Sequence, residues 1–204
     1  MVTLPAGFEQ IRGFLSPAEG LALYRYARAA SALGPILEIG SYCGKSTLCL
    51  GTGASAAEGT VYAIDHHGGS EEHQPGEFFH DPALYNKREE RFDSFGEFRR
   101  NIRKANLEDV IVPVVSHSKT AARHWRTPLA MVFIDGGHSL DAALDDYRGW
   151  STHLLPGGIL AIHDIFSDPA EGGQAPWTIL QLALQSGLFE EVEQIDTLAI
   201  LRRL

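Results

Sequence analysis

Cysteine is scarce in this chain of 204 residues: only Cys43 and Cys49 occur. A disulfide framework is therefore not expected, and the pair reads as reduced, buried thiols in a cytoplasmic protein. No stretch approaches the roughly 20 consecutive apolar residues of a membrane span. The first ten residues, MVTLPAGFEQ, lack the basic and apolar regions of a signal peptide. Positive charge is short as well, and the formal net charge is −9. That balance disfavours a nucleic-acid partner held on a basic face. The one dense basic segment, Arg99, Arg100, Arg103 and Lys104, reads as a solvated helix face. Internal repeats, low-complexity tracts and a second domain are also missing. What is present is a hydrophobic fraction of 44 %, enough for one core spanning residues 1–204. Histidine is plentiful, and His66, His67, His73 and His80 fall in one segment.

The pivot of the sequence is Ile36 to Thr47, ILEIGSYCGKST. Its order of apolar run, small-residue turn and polar start reads as buried strand, tight turn and helix N-terminus. Three ligand readings compete for such a junction. A dinucleotide fingerprint needs a second glycine where Tyr42 stands. A P-loop, GxxxxGK[ST], needs one more residue between Gly40 and Gly44-Lys45-Ser46. The third is a nucleoside ligand without phosphates, which Glu38 favours because a carboxylate repels phosphate and suits a cationic ligand.

Ser16 and Pro17 open a helix expected over 16–33, closed by Gly34-Pro35. Strands are predicted at Thr60–Asp65, Val110–Val115, Ala130–Asp135 and Ile159–His163, with Pro113 pointing to an edge or irregular position for the second of these. Helices are predicted from Phe95, over Lys119–Trp125, over Ser139–His153 and over Gln174–Ser186. Pro156-Gly157-Gly158 reads as a turn. Residues 66–95 are polar and aperiodic, and are expected as a lid over the ligand crevice. The tail, Phe189–Ile195 and Leu198–Leu201 about Asp196-Thr197, reads as a hairpin. The sum is an α/β fold: a doubly wound, mostly parallel, seven-stranded Rossmann-like sheet with a C-terminal antiparallel hairpin.

Glu38, Gly40, Gly44 and Ser46 match ExGxxxGx[ST], and here the chain resembles the class I S-adenosylmethionine-dependent methyltransferases. The resemblance runs through nearly the whole chain. It implies a donor site in which Glu38 and Gly40 hold the amino-acid end, with Ser41, Tyr42 and Ser46 in the same turn. Asp65 would take the ribose, His66 would follow it, and His117 and Ser118 would lie by the adenine. Asp135-Gly136-Gly137-His138, followed by LLPGGILAIHD, is similar to small metal-dependent O-methyltransferases acting on sugars. That likeness implies Asp135 and Asp164 as ligands of a divalent cation, Mg²⁺ by the hardness of carboxylate oxygens. If His163 also binds, Mn²⁺ or another imidazole-tolerant ion becomes the better fit. His138 would be the base, with Asp135 beside it in the catalytic pair.

The expected activity is methyl transfer from S-adenosylmethionine to a hydroxyl, leaving S-adenosylhomocysteine. A sugar or oligosaccharide acceptor is expected, for instance a mannoside of methylmannose polysaccharide, with a macrolide sugar or a catechol as other small-molecule acceptors. Neither nucleic acid nor membrane is an expected partner, and the N-terminal helix and the lid offer surfaces for a homodimer. The rival readings are a P-loop-like nucleotide hydrolase using Lys45 and Ser46, and a non-catalytic binding module on the same fold.

Overall fold

The computed structural model describes residues 3–70, 81–137 and 139–204. The first helix, α1, runs Pro17–Ala30. A capping box starts it: Glu19 N donates to Ser16 Oγ at 3.2 Å, and Ser16 N donates to Glu19 Oε2 at 2.9 Å. It closes three residues before the expected Leu33, because the chain turns at 31–33 ahead of Gly34-Pro35. Strand β1, Ile36–Ile39, is buried throughout and leads into α2, Lys45–Ser55, then β2, Val61–Asp65.

The 66–95 segment departs from a uniform loop. Its described part carries a small antiparallel hairpin, β3 Tyr85–Asn86 with β4 Arg91–Phe92. Residues 71–80, including His73 and His80, lie outside the described residues. There follow α3 Phe95–Lys104, β5 Ile111–Val115, α4 Ser118–Ala122, β6 Leu129–Ile134 and α5 Leu140–Trp150. The last elements are β7 Leu154–Ile162, α6 Ala175–Gln185, β8 Phe189–Ile195 and β9 Leu198–Arg203. Helix α4 ends before the expected Trp125, whose indole instead donates to Thr127 O.

The main sheet has seven strands in the order β5-β2-β1-β6-β7-β9-β8. Pairs from β5 to β7 are parallel, and β9 joins β7 and β8 antiparallel. Pro113, which cannot donate to a ladder, lies in the edge strand β5 as expected. The turn expected at Pro156-Gly157-Gly158 is corrected: it is absorbed inside β7. Pairing jumps from Leu129↔Leu154 to Met131↔Ile159, so the extra residues bulge out of a continuing strand.

Strand alternation gives the sheet two apolar faces. Ile36, Val61, Met131 and Phe133 pack with Leu23, Leu48 and Phe98 from α1 to α3. Leu37, Ile39, Val132 and Leu160 pack with Trp150, Ile179 and Leu180 from α5 and α6. Helices on both faces leave one open edge, the carboxyl ends of β1, β2, β6 and β7. Cys43 and Cys49 are free and buried, as expected, and burial pushes each thiol up to about 12. Among the described residues no helix is long and apolar enough to cross a membrane.

Glu19 fastens this edge to the chain's two ends. It is buried, and its Oε1 accepts from the Thr197 amide at 3.0 Å and the Thr197 hydroxyl at 2.8 Å, in the β8–β9 turn. Its removal strands several buried donors. Glu19→Ala is expected to lower unfolding free energy by about 3 kcal/mol, read by urea denaturation, with Glu19→Gln closer to the parent. A loss below about 1 kcal/mol in the alanine variant would show that these contacts do not organise the fold.

Candidate active site

A crevice of about 450 Å³ opens at the carboxyl edge of the sheet, lined by residues from the β1, β2, β5, β6 and β7 ends. Its size suits a nucleoside-sized ligand with an acceptor beside it. Gly40, at φ 88°, forms its floor. A Cβ there would lie 1.9 Å from the Asp135 carbonyl oxygen, so only glycine lets the β1 and β6 ends meet.

Asp65 fixes two loops at once. One oxygen accepts from Tyr42 N at 2.8 Å, the other from His67 N at 2.7 Å. The amide of the β1 turn is thus aimed at a carboxylate, the opposite of a phosphate cradle. Gly44 N closes the turn onto Ser41 O at 2.7 Å. Ser41 is buried, lines the crevice, and its hydroxyl has no hydrogen-bond partner. An orphaned buried hydroxyl on a crevice wall is a polar group that a ligand would satisfy. Tyr42, at φ 44°, also lines the crevice and stacks on Phe92 with ring centroids 6.2 Å apart.

Most of the expected donor residues come together here. Gly40, Ser41, Tyr42, Ser46, Asp65, His66, His117, Ser118 and Asp135 all line the one crevice. The His66 and His117 rings face each other at 4.4 Å, and burial holds His66 below its ordinary value, hence neutral. His67 departs from its neighbour: it is buried beside Phe95 and Phe98, with Nδ1 2.8 Å from Ser94 Oγ.

Glu38 does not take the expected place on the crevice wall. Alternation along β1 turns it to the α2 face, and it is fully buried. Ser46 Oγ and Thr47 Oγ1 each donate to it at 2.5 Å. Glu38 therefore braces the start of α2 from beneath the turn. Burial raises its carboxyl to about 8, against the opposing pull of the two hydroxyl donors.

The acids after β6 and β7 form a second cluster. Oxygens of Asp135 and Asp164 and a nitrogen of His163 lie within 4.8 Å of one another. His163 Nδ1 is 3.1 Å from Asp135 Oδ1 and 3.4 Å from Asp164 Oδ1. Its Nε2 is 3.2 Å from Glu19 Oε2. Burial alone would depress this imidazole, but the three carboxylates outweigh burial and raise it well above its usual range. Glu19 is held down to about 2, its burial offset by His163, Ser16 and Thr197. The donor set fits a divalent cation. Two carboxylates face the crevice, and an imidazole whose far nitrogen is oriented by a carboxylate is a familiar metal-ligand arrangement. Sequence reasoning left His163 open and missed Glu19, whose capping-box pattern concealed a second role.

His138 lies outside the described residues. The α5 cap belongs to its neighbour Ser139, whose Oγ accepts from Ala142 N at 3.3 Å.

The Methyltransferase domain family matches residues 37–165, more than half of the chain. The chain belongs to this family. Its fold is also that of solved methyltransferase structures. An O-methyltransferase from Bacillus cereus in complex with SAH is 17 % identical, with 96 % of this chain and 86 % of that chain covered and a TM-score of 0.65. The O-methyltransferase TomG from Streptomyces achromogenes, involved in tomaymycin synthesis and bound to SAM, is 15 % identical, with coverage of 93 % and 81 % and a TM-score of 0.63. Cofactor-bound Rv0187 from MTB is 17 % identical, with coverage of 97 % and 86 % and a TM-score of 0.66. The fold and family leave a P-loop hydrolase without support.

Because the folded Glu38 carboxyl is raised, its contribution to stability is complete below pH 4.5 and is lost as pH climbs through about 8. Glu38→Gln mimics the protonated acid and should unfold at nearly constant urea concentration over that range. The parent should lose stability relative to the variant as pH rises. Parallel curves for the two proteins would show that Glu38 does not titrate in this window.

Proposed function

We propose that the protein is an S-adenosylmethionine-dependent O-methyltransferase acting on a hydroxyl of a sugar or saccharide with help from a divalent cation. The observation that carries this is the joining, in one crevice, of the Asp65-braced turn, the orphaned Ser41 hydroxyl and the Asp135–His163–Asp164 cluster. The family supplies the reaction class. The bound ligands in the SAH and SAM complexes of similar fold support the donor.

In this reading the Asp65 oxygens, each already holding one amide, accept the ribose hydroxyls through their remaining lone pairs. Gly40 lets the sulfonium portion approach the backbone, and Ser41 meets the amino-acid end. Helix α2 begins at Gly44 without a side-chain cap, so its first amides suit the donor's carboxylate. The acceptor oxygen attacks the methyl carbon, the carbon–sulfur bond breaks, and its electron pair remains on sulfur as the neutral thioether. His138 takes the hydroxyl proton. Asp135, Asp164 and His163 would hold the cation, which supplies a lowered hydroxyl pKa and a fixed place for the acceptor oxygen. The imidazole in that set suits Mn²⁺ or a similar ion better than Mg²⁺. Polar lining from Arg12, Lys45 and Ser94, together with the stacked Tyr42–Phe92 wall, suits a sugar ring presenting hydroxyls on its edge and C–H groups on its face.

The test is transfer of labelled methyl from S-adenosylmethionine to a panel of mannosides, other sugars and catechols, with Mn²⁺, with Mg²⁺ and with EDTA. Transfer to a sugar that EDTA abolishes is expected. Asp135→Ala should cut turnover at least about 100-fold, and undiminished activity of that variant in EDTA would remove the cation from the mechanism. His138→Ala should cut turnover about 100-fold or more while keeping donor affinity. Normal turnover there would assign the proton to another group.

A further inference from the structure

Behind one wall of the crevice lies an imidazole that the reaction above does not use. Phe92 and Ser94, at the end of a strap formed by residues 81–94, line the crevice. His67 holds this end of the strap to the chain leaving β2 through two contacts. Ser94 N donates to His67 O at 3.2 Å, and Ser94 Oγ lies 2.8 Å from His67 Nδ1. Ser94 is the N-cap of α3, where a serine hydroxyl ordinarily accepts from an amide of the first helical turn. It makes no such bond, so the cap is forgone and the hydroxyl goes to the ring. His67 takes a left-handed backbone, φ 57°, which a residue with a Cβ adopts at a cost. Asp65 fixes that conformation by accepting from the His67 amide at 2.7 Å.

The ring is 4 % exposed, it packs against Phe95 and Phe98, and its Nε2 makes no well-formed hydrogen bond. A neutral ring protonated on Nδ1 leaves only an acceptor nitrogen unanswered there. An imidazolium would leave a buried N–H and a charge. We propose that His67 is a positioning residue: as the neutral imidazole it clasps the 81–94 strap to the end of β2 and so holds the Phe92–Ser94 wall of the crevice in place. The inference rests on the S-adenosylmethionine reading for what the crevice binds, and adds to it a residue that touches neither substrate. Asp65 and His66 act on the ring from the β2 end, Asp93 from the strap and the Tyr42 backbone from the β1 turn. From α3 it meets Phe95 and Phe98, with Arg99 over the Phe95 ring. Burial outweighs the two acids and holds the imidazole below its ordinary 6.5. The clasp is therefore complete above pH 6.5 and is lost as pH falls below that value.

The experiment measures hydrogen–deuterium exchange of the 81–94 amides in the intact protein, corrected for the intrinsic pH dependence of exchange, at about pH 7.5 and about pH 5.5. Calorimetric titration with S-adenosylhomocysteine is run at the same two values. The parent is expected to lose about tenfold in both protection and affinity at the lower pH. His67→Asn cannot titrate, its amide can still meet Ser94, and asparagine tolerates a left-handed backbone. It should keep the parent's protection and affinity at the higher pH and change less than about threefold at the lower. Ser94→Ala, which removes the ring's partner, should exchange at the higher pH as fast as the parent does at the lower. Unchanged protection in the parent overturns this inference alone, and needs no variant to fold. Equal acid losses in the parent and His67→Asn, or parent-like protection in Ser94→Ala, also overturn it. Lost protection with undiminished affinity in the parent overturns the positioning role. Binding of S-adenosylhomocysteine by none of these proteins at either pH overturns the donor reading, and the positioning role with it.

Discussion

The His163 imidazole, closed between Glu19 on one side and Asp135 and Asp164 on the other, is the contact on which the working edge of this protein depends. It joins four parts of the chain that are distant in sequence: the first turn of α1, the end of β6, the end of β7 and, through Thr197, the β8–β9 turn. A buried acid is costly unless paired, and here one ring answers buried Glu19 together with the partly exposed Asp135 and Asp164. The same arrangement serves two states. As an imidazolium, the ring neutralises the acids. In the proposed reading it would be a neutral ligand, with Nε2–H held by Glu19 and Nδ1 left for a cation shared with Asp135 and Asp164. Stability of the fold and readiness of the site thus share one set of atoms.

A second constraint, the meeting of the β1 and β6 ends at Gly40, shapes the donor side. Close backbone approach lowers the crevice floor, and Asp65 ties the turns after β1 and β2 to one carboxylate. The edge therefore presents acid where nucleotide-hydrolysing folds present amides and lysine. Lys45, which follows the turn as a P-loop lysine would, instead reaches Gly13 O at 3.3 Å and lies over the Phe8 ring. An edge of this charge suits a sulfonium donor, whose own charge is positive until the methyl group leaves.

Local signals made much of this legible in the sequence. Apolar runs and turn residues gave the strands, Pro113 gave the edge, and the terminal alternation gave the hairpin. The strand-end acids Asp65, Asp135 and Asp164 stood out because an ionisable residue closing an apolar run has few reasons to be there. Glu38 was misplaced onto the crevice wall for want of one step. It shares a strand face with Ile36, which turns it toward Ser46 and Thr47 on α2. Glu19 was missed for a different reason. It looks like a routine helix acid, and it is held by a partner that local pattern does not reveal, the β8–β9 turn. The Pro156–Gly158 bulge was hidden likewise, since only pairing with β6 shows that the strand continues through it.

The family makes the protein a methyltransferase, and the ligand proposed for its crevice is a sulfonium nucleoside rather than a nucleoside triphosphate. Calorimetric titration of the intact protein with S-adenosylmethionine and, separately, with ATP and Mg²⁺ tests that claim most directly. The account predicts saturable binding of S-adenosylmethionine, at a dissociation constant of about 100 μM or tighter, and no heat of binding with ATP. Binding of ATP with none of S-adenosylmethionine would contradict it.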